Sequence, residues 1–131
     1  MKKPTKKQLE KREKRRIKRE NKQKKKVWRE KIFERDGYAC VFCKKQFGNN
    51  GGLHPSHILP DNTKTSKKYD LVRFDINNGL SACAYHHIFG QDSLHNNPIF
   101  VVEWLKKNRP QQYEYLMKKY NEINKFIIEE S

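Results

Sequence analysis

Two short spacings constrain this chain more than anything else in it. They are Cys40-x-x-Cys43 and Cys83-x-x-His86, with residues 44–82 between them. A two-residue spacer lets a tight turn present both side chains to one ion, and zinc takes four tetrahedral sulfur or nitrogen ligands. Either pair alone carries little weight; the two together use all three cysteines of the chain. An odd cysteine count also fits poorly with a disulfide framework. The competing reading is three inert buried cysteines. A structural zinc answers a further need. Hydrophobic residues make up only 34% of 131 residues, so the core is small, and small cores are marginal without a staple.

The same segment, "CAYHHIFG", places His87 directly after His86. Neighbours on a helix point about 100° apart, so the two rings do not serve one site. With His86 assigned to zinc, His87 is released for another role.

Charge divides the chain. Residues 1–26 hold fifteen of the thirty Lys and Arg but three of the fifteen acids, a net charge of +12 against +3 for the remainder. We therefore expect a basic arm (1–26), a domain built around the knuckle (27–96) and a C-terminal packing unit (97–131). No apolar run approaches the ~20 residues that span a bilayer, and no apolar stretch follows the basic N-terminus as in a signal peptide. The cytoplasm, with reduced thiols, is the expected compartment, with no membrane partner.

From Lys6 to Arg35 there is neither proline nor glycine, and good helix formers dominate. The first twenty or so residues offer only Leu9 and Ile17 as apolar anchors, so the arm reads as helical or disordered without a partner. Val27, Trp28, Ile32 and Phe33 form a face that can dock on a core, and Gly37 offers a stop. "GLHPSHILP" reads as extended. "LVRFDINNGLSAC" reads as a second extended segment interrupted at Asn77-Asn78, and "AYHHIF" opens a helix. Asn97-Pro98 is a cap followed by proline at the first helical position. Pro110 starts a last helix with Tyr113, Leu116, Tyr120, Ile123 and Ile127 at helical spacing, where Trp104 and the tyrosines read as core.

The order of the remaining polar residues is informative. Arg35-Asp36 and the first ligand pair are followed by "PSHI", then "INNG", then the second ligand pair with His87 at once behind it. This order resembles the HNH endonucleases of the ββα-metal (His-Me finger) superfamily, in the zinc-knuckle subtype of phage and mobile-element proteins. It covers about residues 33–105, including "NPIFVVEWL". The resemblance implies a small α+β fold: a ββα-metal hairpin and helix around a zinc knuckle, flanked by helices. It implies that His57 is a general base, that Asn78 braces the hairpin loop, and that His87 is a ligand of a catalytic divalent metal (Mg²⁺, or Mn²⁺ or Ni²⁺). It implies metal-dependent cleavage of DNA to a 5′-phosphate and a 3′-hydroxyl.

Two positions depart from that pattern. His86 stands where most members carry a fourth cysteine, and Cys₃His is an accepted zinc set. Ser56 stands where many carry a ligating Asp, Glu or His; a hydroxyl is a poor ligand, and His54 and Gln91 are candidate substitutes. Each histidine alone would pass for an ordinary one, and His95 reads as a solvated loop histidine. Lys11, Arg12, Arg15, Arg16 and Arg19 of the arm, with Arg73, are the expected phosphate contacts, on double-stranded DNA with RNA left open; Lys67 and Lys68 read equally well as surface charge. A solvated charged helix is the plainer reading of the arm. Rival functions are a zinc-stapled nucleic-acid-binding module without cleavage and a structural part of a nucleoprotein assembly. Nothing in the residues sets an oligomeric state.

Overall fold

A computed structural model describes residues 2–48, 51–60, 67–89 and 96–130, without the side chains of 88–89 and 126–130. Gln91 and His95 lie outside the described residues, as does the side chain of Ile127. The architecture is α+β: a long helix α1 (Lys6–Arg35), a hairpin of β1 (Leu53–His57) and β2 (Gly79–Cys83), then helices α2 (Pro98–Asn108) and α3 (Pro110–Glu130).

The arm is helix, and it is the same helix that enters the core; α1 crosses position 26 without a break. Both ends are closed by local chemistry. At the start, the Gln8 backbone N–H donates to Thr5 Oγ1 and the Thr5 N–H to Gln8 Oε1, at 3.2 and 2.9 Å, a reciprocal capping box. At the end, Tyr38 N–H donates to Phe33 O at 2.8 Å and Gly37 N–H to Glu34 O at 3.2 Å, with Gly37 at φ 70°. This is a Schellman stop, and the Phe33–Tyr38 ring contact supplies its hydrophobic lock. Trp28, Ile32 and Phe33 are buried; Val27 is 41% exposed, because the face that meets the hairpin is centred on Trp28 and Ile32.

The strands are antiparallel, pairing from Leu53 with Cys83 to His57 with Gly79. Gly79 is where α1 crosses closest: a Cβ there would lie 2.2 Å from Ile32 Cδ1 and 2.8 Å from Trp28 Cζ2. The second extended segment is shorter than its sequence suggests. Asp70–Val72 and Ile76–Asn78 are 3₁₀ turns, because the Asp75 carboxylate accepts from Asn77 N–H at 2.9 Å and its carbonyl from Asn78 N–H at 2.9 Å. Tyr85–Phe89 forms a single π-helical turn.

Two apolar clusters flank the hairpin. Trp28, Ile32, Phe33, Cys40, Leu53 and Ala82 form one; Val41, Leu80, Val101 and Leu105 form the other, beneath α2. Asn97 caps α2 by accepting from Phe100 N–H at 3.1 Å. In the tail Leu116 is buried and Trp104 half-buried, whereas Tyr120 stays exposed and stacks on Tyr69. A buried carboxylate ties the tail to the hairpin: Asp36 meets Arg35 and Arg109 at 2.8 Å each and accepts from Ser81 N–H at 2.9 Å. Gln112 Nε2 adds bonds to the carbonyls of Asn77 and Gly79, at 2.8 and 3.2 Å.

Candidate functional site

The turn after α1, the end of β2 and the π-helical turn bring Cys40, Cys43, Cys83 and His86 together, their ligand atoms all within 4.8 Å of one another. Cys40 Sγ lies 3.6 Å from His86 Nδ1, Cys83 Sγ 3.2 Å from it, and Cys43 Sγ 3.9 Å from Cys83 Sγ. A tetrahedron with zinc–sulfur bonds of about 2.3 Å and zinc–nitrogen bonds of about 2.05 Å has edges of about 3.8 and 3.6 Å. The cluster is therefore close to the size of a zinc site, with a donor set that suits zinc. The turn that makes it possible places Lys44 at φ 65°, so that Lys44 N–H reaches back to Cys40 O at 2.8 Å. Burial pushes the Cys40 thiol up to about 11. At Cys43 burial also pushes upward, but the Lys45 backbone and the neighbouring thiols outweigh it and hold this thiol below its usual range. Of these two sulfurs Cys43 is the more easily ionised, and an ion bound here would have to displace the proton of Cys40.

The hairpin carries the other expected residues. Asn78 is fully buried (0% exposed). Its Oδ1 accepts from Leu59 N–H at 2.6 Å, and its Nδ2 donates to Leu59 O at 3.2 Å and Val72 O at 3.1 Å. It clamps the exit of β1 to the turn that precedes β2. His57, the last residue of β1, stacks on Trp28 with ring centroids 4.2 Å apart and planes 17° from parallel. Its Nε2 lies 2.8 Å from Arg73 O. A carbonyl can only accept, so Nε2 carries the proton and the lone pair of the neutral ring falls on Nδ1.

Successive strand residues face opposite sides. Leu53 and His57 face α1, whereas His54 and Ser56 face the other way. The ring found against His87 is that of His54, with centroids 5.2 Å apart. The adjacent histidines thus part: His86 turns to the sulfurs and to Phe42, His87 to β1. Ser56 is 1% exposed, its hydroxyl directed at His54 O from 3.5 Å.

On α1, Arg12, Arg15, Arg19, Lys22, Lys26 and Arg29 fall within about 100° of one another around the axis, with Lys11 at the edge of that wedge. The stripe runs into a groove of about 730 Å³ whose floor includes Phe33, Tyr38 and Leu53. Arg16 stands apart, bonded to Glu13 and Glu20. Arg73 contributes its carbonyl to His57 and lays its guanidinium over Phe74, 4.8 Å from the ring centre. Two contacts were beyond sequence reasoning: Trp28 and the Arg73 carbonyl as the supports of His57.

No family model, curated protein or solved structure matches the chain. Among the described residues, no helix is long and apolar enough to cross a membrane.

Proposed function

We propose that the chain is a metal-dependent DNA endonuclease of the HNH kind, stapled by zinc at Cys40, Cys43, Cys83 and His86. The observation that carries this reading is the fixed imidazole of His57. It is held between the Trp28 ring and the Arg73 carbonyl, at the mouth of a loop clamped by Asn78, with Cys83 of the knuckle at the end of the partner strand. With Nε2–H donating to that carbonyl, the basic nitrogen of the neutral ring is Nδ1, the atom through which His57 would act as a general base on water. A divalent ion (Mg²⁺, Mn²⁺ or Ni²⁺), when bound, offsets the negative charge that develops on a phosphate under attack. The basic stripe of α1 supplies encounter with the phosphate backbone and positions it, without reading bases.

Plasmid nicking by the zinc-loaded protein tests this. Cleavage should require an added divalent ion and fall at least about a hundredfold in His57→Ala, the low end of what a general base contributes, with zinc content unchanged. Nicking that is indifferent to His57→Ala refutes the assignment. A second reading, a zinc-stapled module that holds nucleic acid without cutting it, is favoured by one observation: the buried Ser56 hydroxyl offers a metal little. Tight, salt-steep DNA binding with no nicking in Mg²⁺, Mn²⁺ or Ni²⁺ would select it.

A further inference from the structure

We propose that the groove at the foot of the α1 stripe is a binding site for unpaired nucleotides, one base lying on the Tyr38 ring and the phosphates on Lys22, Lys26 and Arg29. It rests on the nucleic-acid half of the reading above and not on cleavage.

The groove encloses about 730 Å³, within the range of about 300–1,000 Å³ that small-molecule sites occupy. Its rim and its floor differ in chemistry. Five cations line it, Arg19, Lys22, Lys25, Lys26 and Arg29, against the single acid Glu30, and all of them are exposed. The floor is apolar: Phe33 and Leu53 are buried and Tyr38 is half-buried. Of its two rings Tyr38 is the one on offer, since Phe33 is 7% exposed and the Arg29 guanidinium lies 5.3 Å from its centre. Tyr38 is also fixed in place. Its backbone stands at φ 55°, a region that bulky residues rarely adopt. Its N–H donates to Phe33 O at 2.8 Å, and its carbonyl accepts from Phe47 N–H at 3.0 Å. A ligand that satisfies both layers carries anionic groups and a flat apolar face. A duplex offers this groove phosphates alone, because its bases are stacked on one another. An unpaired strand offers both, which is the pattern of single-strand sites: a cationic track with an aromatic platform. An acidic peptide supplies the charge, but its carboxylates come without a ring attached. Stacking tolerates any sequence because every base has a π-face, so the site adds no base reading.

The test is binding of zinc-loaded, full-length protein, with no divalent ion added, to a single strand of about ten nucleotides, within the site sizes of single-strand binders. The same sequence as a duplex is the comparison. A fluorescent purine analogue in the strand, whose emission falls on stacking, should be quenched on binding. Tyr38→Leu, which keeps an apolar side chain, should abolish that quenching. It should weaken single-strand binding at least about fivefold, the low end of what one stacked base contributes, while duplex binding stays within about twofold. Tyr38→Phe should behave as the parent, and Lys22→Gln with Lys26→Gln should weaken both forms. If Tyr38→Leu loses zinc or helicity, the parent decides: its Tyr38 ring protons should shift upfield on addition of single strand and not of duplex. The proposal is overturned if the emission is unchanged, if Tyr38→Leu weakens strand and duplex alike, or if a poly-glutamate peptide binds as tightly as the strand. Tyr38-dependent strand binding without nicking would support the groove and sink the nuclease reading. His57-dependent nicking with strand binding indifferent to Tyr38 would overturn this proposal alone.

Discussion

Asn78 offers the sharpest perturbation, because shape and hydrogen bonding predict opposite orders for two variants. Its side chain is fully buried and meets three backbone groups, at 2.6, 3.2 and 3.1 Å. Asn78→Ala strips Leu59 N–H of its acceptor and leaves two carbonyls short of a donor. A stranded buried polar group costs about 1–3 kcal/mol, less for a carbonyl with a second lone pair or where water enters, so a loss of about 2 kcal/mol is expected. Asn78→Asp nearly preserves the shape and still accepts from Leu59 N–H. However, it faces two carbonyls with a carboxylate, and an uncompensated buried charge costs about 3–5 kcal/mol. Asp should therefore be worse than Ala at neutral pH. Burial raises the folded-state pKa of such a carboxyl above its unfolded value near 3.9. The penalty is then full above the folded pKa and fades as pH falls toward the unfolded one. Urea unfolding of zinc-saturated protein at pH 8 and pH 5.5, followed by tryptophan fluorescence and circular dichroism together, measures this. Hydrogen exchange at the Leu59 amide localises it. If Asn78→Asp is the more stable variant at pH 8, or if both lie within about 0.5 kcal/mol of the parent with Leu59 still protected, the brace reasoning fails.

Three further outcomes follow from the same structure. Cys40→Ser and His86→Ala should each lose zinc and melt the hairpin, whereas His87→Ala should keep its zinc; metal analysis and circular dichroism decide, and zinc retained in His86→Ala with loss in His87→Ala inverts the assignment. At Asp36 burial pushes the carboxyl up, but Arg35, the Ser81 N–H and Arg109 outweigh it and hold it below the ordinary range. Its contribution is therefore present above about pH 3.9 and lost as pH falls through the lower folded value, so the stability gap between the parent and Asp36→Asn should shrink below about pH 4; a gap constant with pH speaks against the ion pairs. Inserting two alanines after Gln23 rotates the arm by about 200°, whereas seven residues rotate it by only about 20°. Duplex affinity and its salt slope should fall with the first insertion and survive the second, and equal effects would mean that the stripe has no required direction.

Most of the knuckle was legible because its constraint is local: ligand type and a two-residue spacer are visible without a fold. The same holds for α1, whose course follows from the absence of Gly and Pro and whose stop follows from Gly37. The Thr5–Gln8 capping box was equally readable, since its signature lies within four residues. The supports of His57 were not readable, because they depend on where a distant helix crosses the hairpin. Nothing in the local pattern says that Trp28 will lie flat on that ring or that Arg73 will offer a carbonyl rather than a guanidinium. The second extended segment failed for a related reason. Asp75 can cap a turn or sit in a strand, and the Trp28 indole that donates to its carbonyl at 2.9 Å comes from α1. The closeness of His54 to His87 was half-readable: strand parity gives the face, and only the register with β2 gives the neighbour.

The continuity of α1 changes what the arm can be. A disordered basic tail would raise the local concentration of DNA without direction. A helix capped at Thr5 and locked at Gly37 instead holds its charges in fixed phase with its core residues. Arg12 and Trp28 are sixteen positions apart, about 24 Å along the axis and about 160° around it. The stripe therefore lies nearly opposite the side that carries His57. A phosphate backbone that followed the stripe would run to the groove lined by Tyr38 and Leu53, and not to the Trp28 side. In this geometry the register of the stripe matters as much as its net charge.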